Sequence, residues 1–427
     1  SRSKGSSSRH YQLSDPAVSL FREYLRLRTV HPEPDYGAAL RFLDRMALEL
    51  KLPAKKVECG VMRTDTALRA SFPLPHLLVL PQVCPGRVVL IMTWLGSKPS
   101  LKSIVLNSHV DVVPVYQEHW KYDAFAAVKD DEGNIYGRGA QDMKCVTIQY
   151  IEAVRRLRAR GTTLPRTVHF LFVPDEEVGG HAGMEMFVKH PEFTKLNIGF
   201  ALDEGDRRPA PLSSGAALRR RICSARSSRG LMACHGLQRR VINAFLDFRE
   251  SERKRLNTGE CFTLGDVTTV NMTKVNGGVA YNVVPAHMDV SFDMRIPPTV
   301  DLQDFEERIK RWCREAGEDV TYQFAQKHMD QEVTSTADSN PWWSAFSTAC
   351  RTMNMNLKTE IFPAATDSRF FRAVGLPAIG FSPMNNTPIL LHDHNEFLNE
   401  RVFLRGIDVY ECLVPALASV APGPGEA

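Results

Sequence analysis

The sequence predicts an α/β fold, an open and mostly parallel sheet flanked by helices, with a small α+β domain inserted into it. Three observations carry that expectation. Between residues 104 and 202, short apolar runs alternate with helical stretches. Those runs end in acids or a histidine, and in open α/β sheets the ligand site lies at the carboxyl ends of the strands. Farther on, 267–274 and 286–295 alternate like half-exposed antiparallel strands beside a helical stretch at 302–313.

A chain of 427 residues is long enough for two domains, and 43% apolar residues suit ordinary globular cores. The net charge of +4 argues for neither nucleic acid nor a membrane as the main partner. Nine cysteines, odd in number and without a CxxC pair, suit reduced thiols in a cytoplasmic protein. The opening SRSKGSSSRH is polar and basic, so 1–12 is read as a disordered tail rather than a signal peptide or anchor. The apolar run at 88–95 falls far short of the ~20 residues a membrane span needs. The sequons at Asn271 and Asn385 are read as chance.

In chain order, Asp15-Pro16 reads as an N-cap followed by proline at the first helical position. Val18, Phe21, Leu25 and Leu27 give the helix its apolar stripe, and a second helix is expected over 36–50. Residues 59–82 are apolar but studded with prolines, which remove ladder donors, so they are read as an inserted loop. Strands are expected at 88–94 and 104–107, the second delivering Ser108-His109-Val110-Asp111. GNIYGRGAQDM (133–143) is a glycine-rich loop carrying Asp142, and a helix follows over 145–158. The β-branched and aromatic run 167–173 is a buried strand stopped by Pro174, with Asp175-Glu176-Glu177 and the turn-forming Gly179-Gly180 directly after it. A helix near 184–189 leads to a strand at 198–202 that ends in Asp203-Glu204-Gly205.

Residues 206–240 show neither strand alternation nor a helical stripe and are expected to be irregular. Arg219-Arg220-Arg221 invites a nucleic-acid reading, but no aromatics interleave with the arginines, and that reading is rejected. A helix at 241–255 with Val241, Phe245 and Phe248 on one side opens the inserted domain proper. After it come a helix at 342–353, strands at 357–362 and 378–381, the segments PAATDSR and LLHDHNE, and a closing helix at 402–413.

His109, Asp142, Glu177, Glu204 and His392 fall at strand ends or in turns rich in glycine or polar residues. Two imidazoles and three carboxylates form a nitrogen and oxygen set that suits zinc, and one carboxylate can bridge two ions. Two such ions ~3.5–4 Å apart lower the pKa of a shared water towards ~7. Asp111 could accept the distal ring N–H of His109, leaving Glu176 to serve as general base. Taken singly the signals are weak. Glu176-Glu177 could be a solvated acidic turn, His109 a structural histidine, and His392 with His394 a surface pair. His119, His169 and His287 are read as structural.

SHVDVVP, GRGAQDMK, VPDEEVGG, ALDEG and LLHDHNE resemble the di-zinc aminoacylase and carboxypeptidase superfamily, over nearly the whole chain apart from 59–82 and 206–240. The resemblance implies two Zn2+ per subunit, one on His109, Asp142 and Glu204 and the other on Asp142, Glu177 and His392. Glu176 is then the catalytic base and Asp111 the orienter of His109. It implies a catalytic zinc-binding domain over 13–205 and 329–427, with a lid and dimerisation domain over 206–328. The substrate would be a small N-acyl-L-amino acid, split into a carboxylate and a free amino acid by a homodimer. Asn282 in GGVAYNVVP and Arg295 in FDMR would face the substrate carboxylate, with Arg369 in TDSR a further candidate.

Within 206–240 the family carries an edge strand and a Gly-x-Pro-Gly-His motif whose histidine donates to the oxyanion across the dimer. Here the nearest histidine is His235, in MACHGLQ, outside any such setting. Losing one oxyanion donor costs about 10²–10³ in turnover. A dipeptidase of the same superfamily, or a metal-binding but inactive partner subunit, are the alternatives.

Overall fold

The computed structural model describes residues 15–59, 86–205, 216–226, 233–258, 263–278, 280–283, 285, 287–324, 329–362 and 364–426, with the backbone alone for 216–226 and 233–235. The tail expected at 1–12 and nearly all of the loop expected at 59–82 lie outside these residues.

Helix α1 (Pro16–Leu25) starts as its sequence demands, the Asp15 carboxylate accepting the Ala17 N–H at 2.8 Å with Pro16 in the first position. Its buried face carries Val18, Phe21 and Leu25. Helix α2 (Tyr36–Leu50) is capped by Asp35 and ends at Lys51 in the left-handed region. Strands β1 (Ala54–Glu58) and β2 (Val88–Trp94) form an antiparallel pair. Cys59 N–H donates to Arg87 O at 2.9 Å, extending that pairing one residue beyond the strand ends.

Next come β3 (Ser103–His109), the short strands β4 (Val128–Lys129) and β5 (Asn134–Tyr136), α3 (Lys144–Ala159) and β6 (Val168–Val173). They are followed by α4 (Met184–Phe187), α5 (Pro191–Lys195) and β7 (Ile198–Asp203). The inserted unit holds β8 (Ala216–Arg226), α6 (Ala233–Leu256), β9 (Thr269–Gly277), β10 (His287–Ile296), α7 (Leu302–Ala316) and β11 (Val320–Phe324). The chain then adds α8 (Pro341–Thr352), α9 (Ser368–Ala373), β12 (Ala378–Gly380), β13 (Phe397–Asn399) and α10 (Glu400–Ala418).

The main sheet runs β1-β2-β6-β3-β7-β12, with β6, β3, β7 and β12 parallel. Every residue of β3, β6 and β7 is buried, as expected when helices cover both faces. One face packs on α1, α2, α3, α8 and α10, with Phe21, Tyr150 and Tyr410 in that core. The other packs on α4, α5 and α9 through Phe187, Phe193 and Phe371. The inserted sheet is antiparallel in the order β11-β8-β10-β9, and α6 and α7 cover it around Phe245, Phe292 and Ile309.

Two expectations are corrected. Residues 206–240 are not irregular throughout. β8 occupies 216–226, pairs with both β10 and β11, and is an interior strand of its sheet, while α6 starts at Ala233. Pairing on both edges imposes strand geometry on a run whose side-chain pattern shows none. Residues 357–362 form no strand; the chain there is irregular, with Ile361 O lying against Gly265 of the insert. Leu357 packs on the main core without entering a ladder.

Candidate metal centre and active site

Parallel packing of β3, β6 and β7 brings their carboxyl ends side by side, and the acids and histidines after those ends converge. His109 closes β3, and its Nδ1 donates to the main-chain carbonyl of Asp111 at 2.9 Å. That bond fixes the tautomer and turns Nε2 towards Asp142 Oδ1 at 2.9 Å and Glu204 Oε2 at 3.4 Å.

The part expected of the Asp111 carboxylate is therefore taken by its backbone oxygen, because Oδ1 stands 3.8 Å from the ring nitrogen. The carboxylate works elsewhere. It accepts His31 Nε2 at 2.9 Å and the N–H groups of Glu176 and Glu177 at 3.2 and 3.0 Å. Asp111 thus holds both ends of the site in register.

Glu176 and Glu177 open a single 3₁₀ turn directly after β6. Asp175 enters it in the left-handed region (φ 64°), held by Tyr36 Oη at 2.6 Å and Arg87 Nε at 2.8 Å. Gly180 leaves it at φ 69°, where a Cβ would lie 2.7 Å from the Phe370 ring, so only glycine fits.

Asp142 sits on the glycine-rich loop, which Glu396 holds from behind. The Glu396 carboxylate is fully buried and accepts from Arg138 Nη1 (2.8 Å) and from the N–H groups of Gly139, Gln141 and Asp142 (3.0, 2.6 and 3.2 Å). From the opposite side His392 Nε2 reaches Asp142 Oδ2 at 3.2 Å and Glu177 Oε2 at 3.0 Å.

Two donor sets result, His109 with Asp142 and Glu204, and Asp142 with Glu177 and His392, the ligand atoms of each lying within 4.8 Å of one another. Asp142 belongs to both through separate oxygens. Separations of 2.9–3.4 Å between donors are close to the edge of a tetrahedron, about 3.3 Å, around an ion with bonds of about 2.0–2.1 Å. Glu176 Oε1 and Glu177 Oε1 are buried without a hydrogen-bond partner among the described residues. The donors present fit a pair of divalent cations.

The electrostatics agree. Burial pushes Glu204 and Glu177 upward, each reinforced by the Asp142 charge. Burial acts the same way on Asp142, but bonds to His109 and His392 outweigh it and hold the group well below the carboxylate range. Burial alone would lower both histidines. The carboxylates reverse this, raising His109 well above its ordinary value and His392 to about 11. Such a cage demands positive charge. Burial moves Glu176 up to about 7, with His109 pulling it down and Glu177 and Asp111 pushing with the burial.

The remaining candidates lie apart from this cluster or beside it. Arg369 donates to Gly179 O at 2.8 Å, directly behind the glutamate turn. Arg295 lies on β10, its Nε on Asp293 at 2.8 Å and its Nη1 buried with no partner among the described residues. Asn282 is exposed on the turn between β9 and β10. Among the described residues no hydrogen bond or ion pair joins Asn282 or Arg295 to the five donors. His235 falls in α6, and its side chain is outside the described residues. His394 stacks 4.8 Å from His119 and joins neither donor set.

Sequence reasoning missed His31 and Glu396 as parts of the site. Glu396 stands in the LLHDHNE motif, but its partners are backbone amides of a distant loop, so that motif's spacing carried no more than a faint signal. His31 had none.

The comparisons agree with the geometry. A family model described as Peptidase family M20/M25/M40 matches residues 105–416. The chain is 53% identical to aminoacylase-1 of Mus musculus, covering 96% of this chain and 97% of that protein. It is 52% identical to the Homo sapiens protein of that name, covering 99% of each. Aminoacylase-1 of Dictyostelium discoideum is 43% identical over 94% of this chain and 98% of its own length. Among solved structures, human carnosine dipeptidase 1 aligns with a TM-score of 0.67 at 15% identity, covering 94% of this chain and 96% of its own. The M20 metallo-carboxypeptidase Sso-CP2 of Sulfolobus solfataricus aligns at 0.68 and 15%, covering 95% and 99%. At these identities the structures speak for the shared fold.

Proposed function

The chain belongs to Peptidase family M20/M25/M40, and from that premise we propose that it is an amidohydrolase that cleaves N-acyl-L-amino acids to a carboxylate and a free L-amino acid. The observation that carries the reading is the pair of donor sets sharing Asp142, with Glu176 and its unbonded Oε1 beside them. Near-identity in length and 52% identity to proteins named aminoacylase-1 favour acylated amino acids over free dipeptides as substrate.

His109, Asp142 and Glu204 would hold one zinc, and Asp142, Glu177 and His392 the second. Bound there, zinc supplies Lewis-acid charge at the scissile carbonyl and acidifies the attacking water. Glu176 accepts the proton of that water and passes it to the departing amine nitrogen, a transfer that suits a carboxyl raised towards neutrality. Asp111 steadies this chemistry twice, through its carbonyl on His109 and its carboxylate on the glutamate turn. Arg295 and Asn282 of the insert, with Arg369 behind the turn, are proposed to meet the substrate carboxylate when the insert closes.

On this reading residues 13–205 and 329–427 are the catalytic domain and 206–328 the lid. Assembly as a homodimer is proposed through β9, the edge of the lid sheet. Its residues 271–277 are exposed, Met272 and Val275 among them, and among the described residues its outer edge pairs with no strand. Residence in the cytoplasm is proposed from cysteines that are odd in number and lack a CxxC pair, with Cys59, Cys350 and Cys412 in no disulfide among the described residues. No helix among the described residues is long and apolar enough to cross a membrane.

Turnover of N-acetyl-methionine by the zinc-loaded chain, set against a free dipeptide such as Ala-Met, tests the proposal. Hydrolysis of the acylated substrate with little action on the dipeptide is expected. The opposite preference would make the chain a dipeptidase, and inertness towards both would leave the partner-subunit alternative.

A further inference from the structure

A second cleft lies away from the metal centre, with a volume of 580 Å³, between the end of α8, the loop after β12 and one face of α10. Its polar lining comprises Arg401 and Arg405, one turn apart on α10, and the amides of Asn354, Asn356, Asn385 and Asn386. No acid lines it. Among the described residues Arg405 has one loose ion pair, with Asp408 at 3.7 Å. Among the described residues the Arg401 guanidinium and the four amide side chains make no hydrogen bond. Asn354 and Asn386 are both in the left-handed region (φ 56° and 54°), which asparagine tolerates better than other side-chain-bearing residues. The floor is apolar, with Pro383 and Val409 buried beneath the polar rim.

Two cations and a ring of amides above an apolar floor form a recognisable pattern. Guanidinium and amide N–H groups are donors for an oxyanion, while a floor of this kind takes an aliphatic chain. We propose that this cleft binds a small oxyanion carrying a short apolar tail, at a site separate from the metal pair. Carboxylate and phosphate headgroups share the required chemistry; the tail requirement distinguishes an aliphatic carboxylate from free phosphate.

The site is also placed to be felt at the metal centre. Asn386 and His392 are six residues apart on one loop. Gln141, next to Asp142, holds that loop through Nε2 to Pro388 O at 3.2 Å and Oε1 from Leu390 N at 3.1 Å. A ligand gripping Asn385 and Asn386 would stiffen the segment that presents His392.

The test is a ligand-detected NMR titration of the full-length zinc-loaded protein with hexanoate, with hexanol and with inorganic phosphate as separate probes. Wild type is expected to show a saturable hexanoate event that Arg401→Glu with Arg405→Glu weakens at least tenfold. Any hexanoate bound at the metal centre should be unaffected by that change. Arg401→Gln, a milder change, should weaken the event severalfold, and an unaltered melting temperature will show that both variants fold. Displacement of hexanoate by phosphate would support headgroup recognition. Equal binding of hexanol, phosphate binding without hexanoate binding, or hexanoate binding indifferent to both variants would overturn the proposal.

Discussion

Glu176 is 5% exposed, with one carboxylate oxygen that has no hydrogen-bond partner among the described residues. The fold leaves it outside both donor sets while placing it next to Glu177, a member of one. Glu176→Gln keeps shape and donor sets, so turnover of N-acetyl-methionine should fall by about 10²–10⁴ while zinc content holds. A variant that lost its zinc in parallel would mean that Glu176 is a ligand rather than the base. Glu396 acts one layer back, its carboxylate gathering three backbone N–H groups of the loop that carries Asp142. Glu396→Gln should weaken zinc binding by about 10–100-fold, measured by competition with a chelator; unchanged affinity would remove Glu396 from the account. At this scale the five donors were legible in the sequence because each follows an apolar strand or lies in a distinctive turn. Glu396 and His31 were not. Their partners are backbone amides or a carboxylate 80 residues away in sequence, and no local spacing encodes that.

Among the elements, β6 carries a titratable passenger. His169 sits in the strand with Nδ1 2.9 Å from Thr93 Oγ1 of β2, and burial lowers its pKa from 6.5 to about 4. Between those values the unfolded chain binds the proton that the folded chain refuses. Stability is therefore whole above pH ~6.5 and falls as the pH drops towards ~4, by about 3 kcal/mol in total. The melting temperature of the wild type should fall between pH 7 and 5 more steeply than that of His169→Asn. Equal slopes would show that His169 is not the acid-sensitive group. Elements buried on both faces, such as β3, β6 and β7, were readable as apolar runs with turn signals at their ends. β8 was not, since its strand geometry comes from β10 and β11 on either side and not from alternation of its own residues. The false strand at 357–362 is the converse, an apolar run that enters no ladder, with Leu357 packed on the main core and Ile361 O against Gly265.

Over the whole molecule, one mostly parallel sheet gathers the five donors and one antiparallel insert offers an exposed edge. If β9 is the dimer contact, Val275→Lys should place like charges across the two-fold and shift the sedimentation profile from dimer to monomer. A dimer that persists in the variant would move the interface elsewhere. The overall architecture was legible in the order of strand and helix patterns, while the way the insert meets the catalytic sheet depends on long-range packing that no window of sequence contains. The central claim, that Asp142 is shared by two cation sites, is tested most directly by counting zinc per chain. The account predicts two in the wild type, one in His392→Ala and none in Asp142→Asn. Two zinc ions retained in Asp142→Asn, or a wild-type chain that never takes more than one, would contradict it.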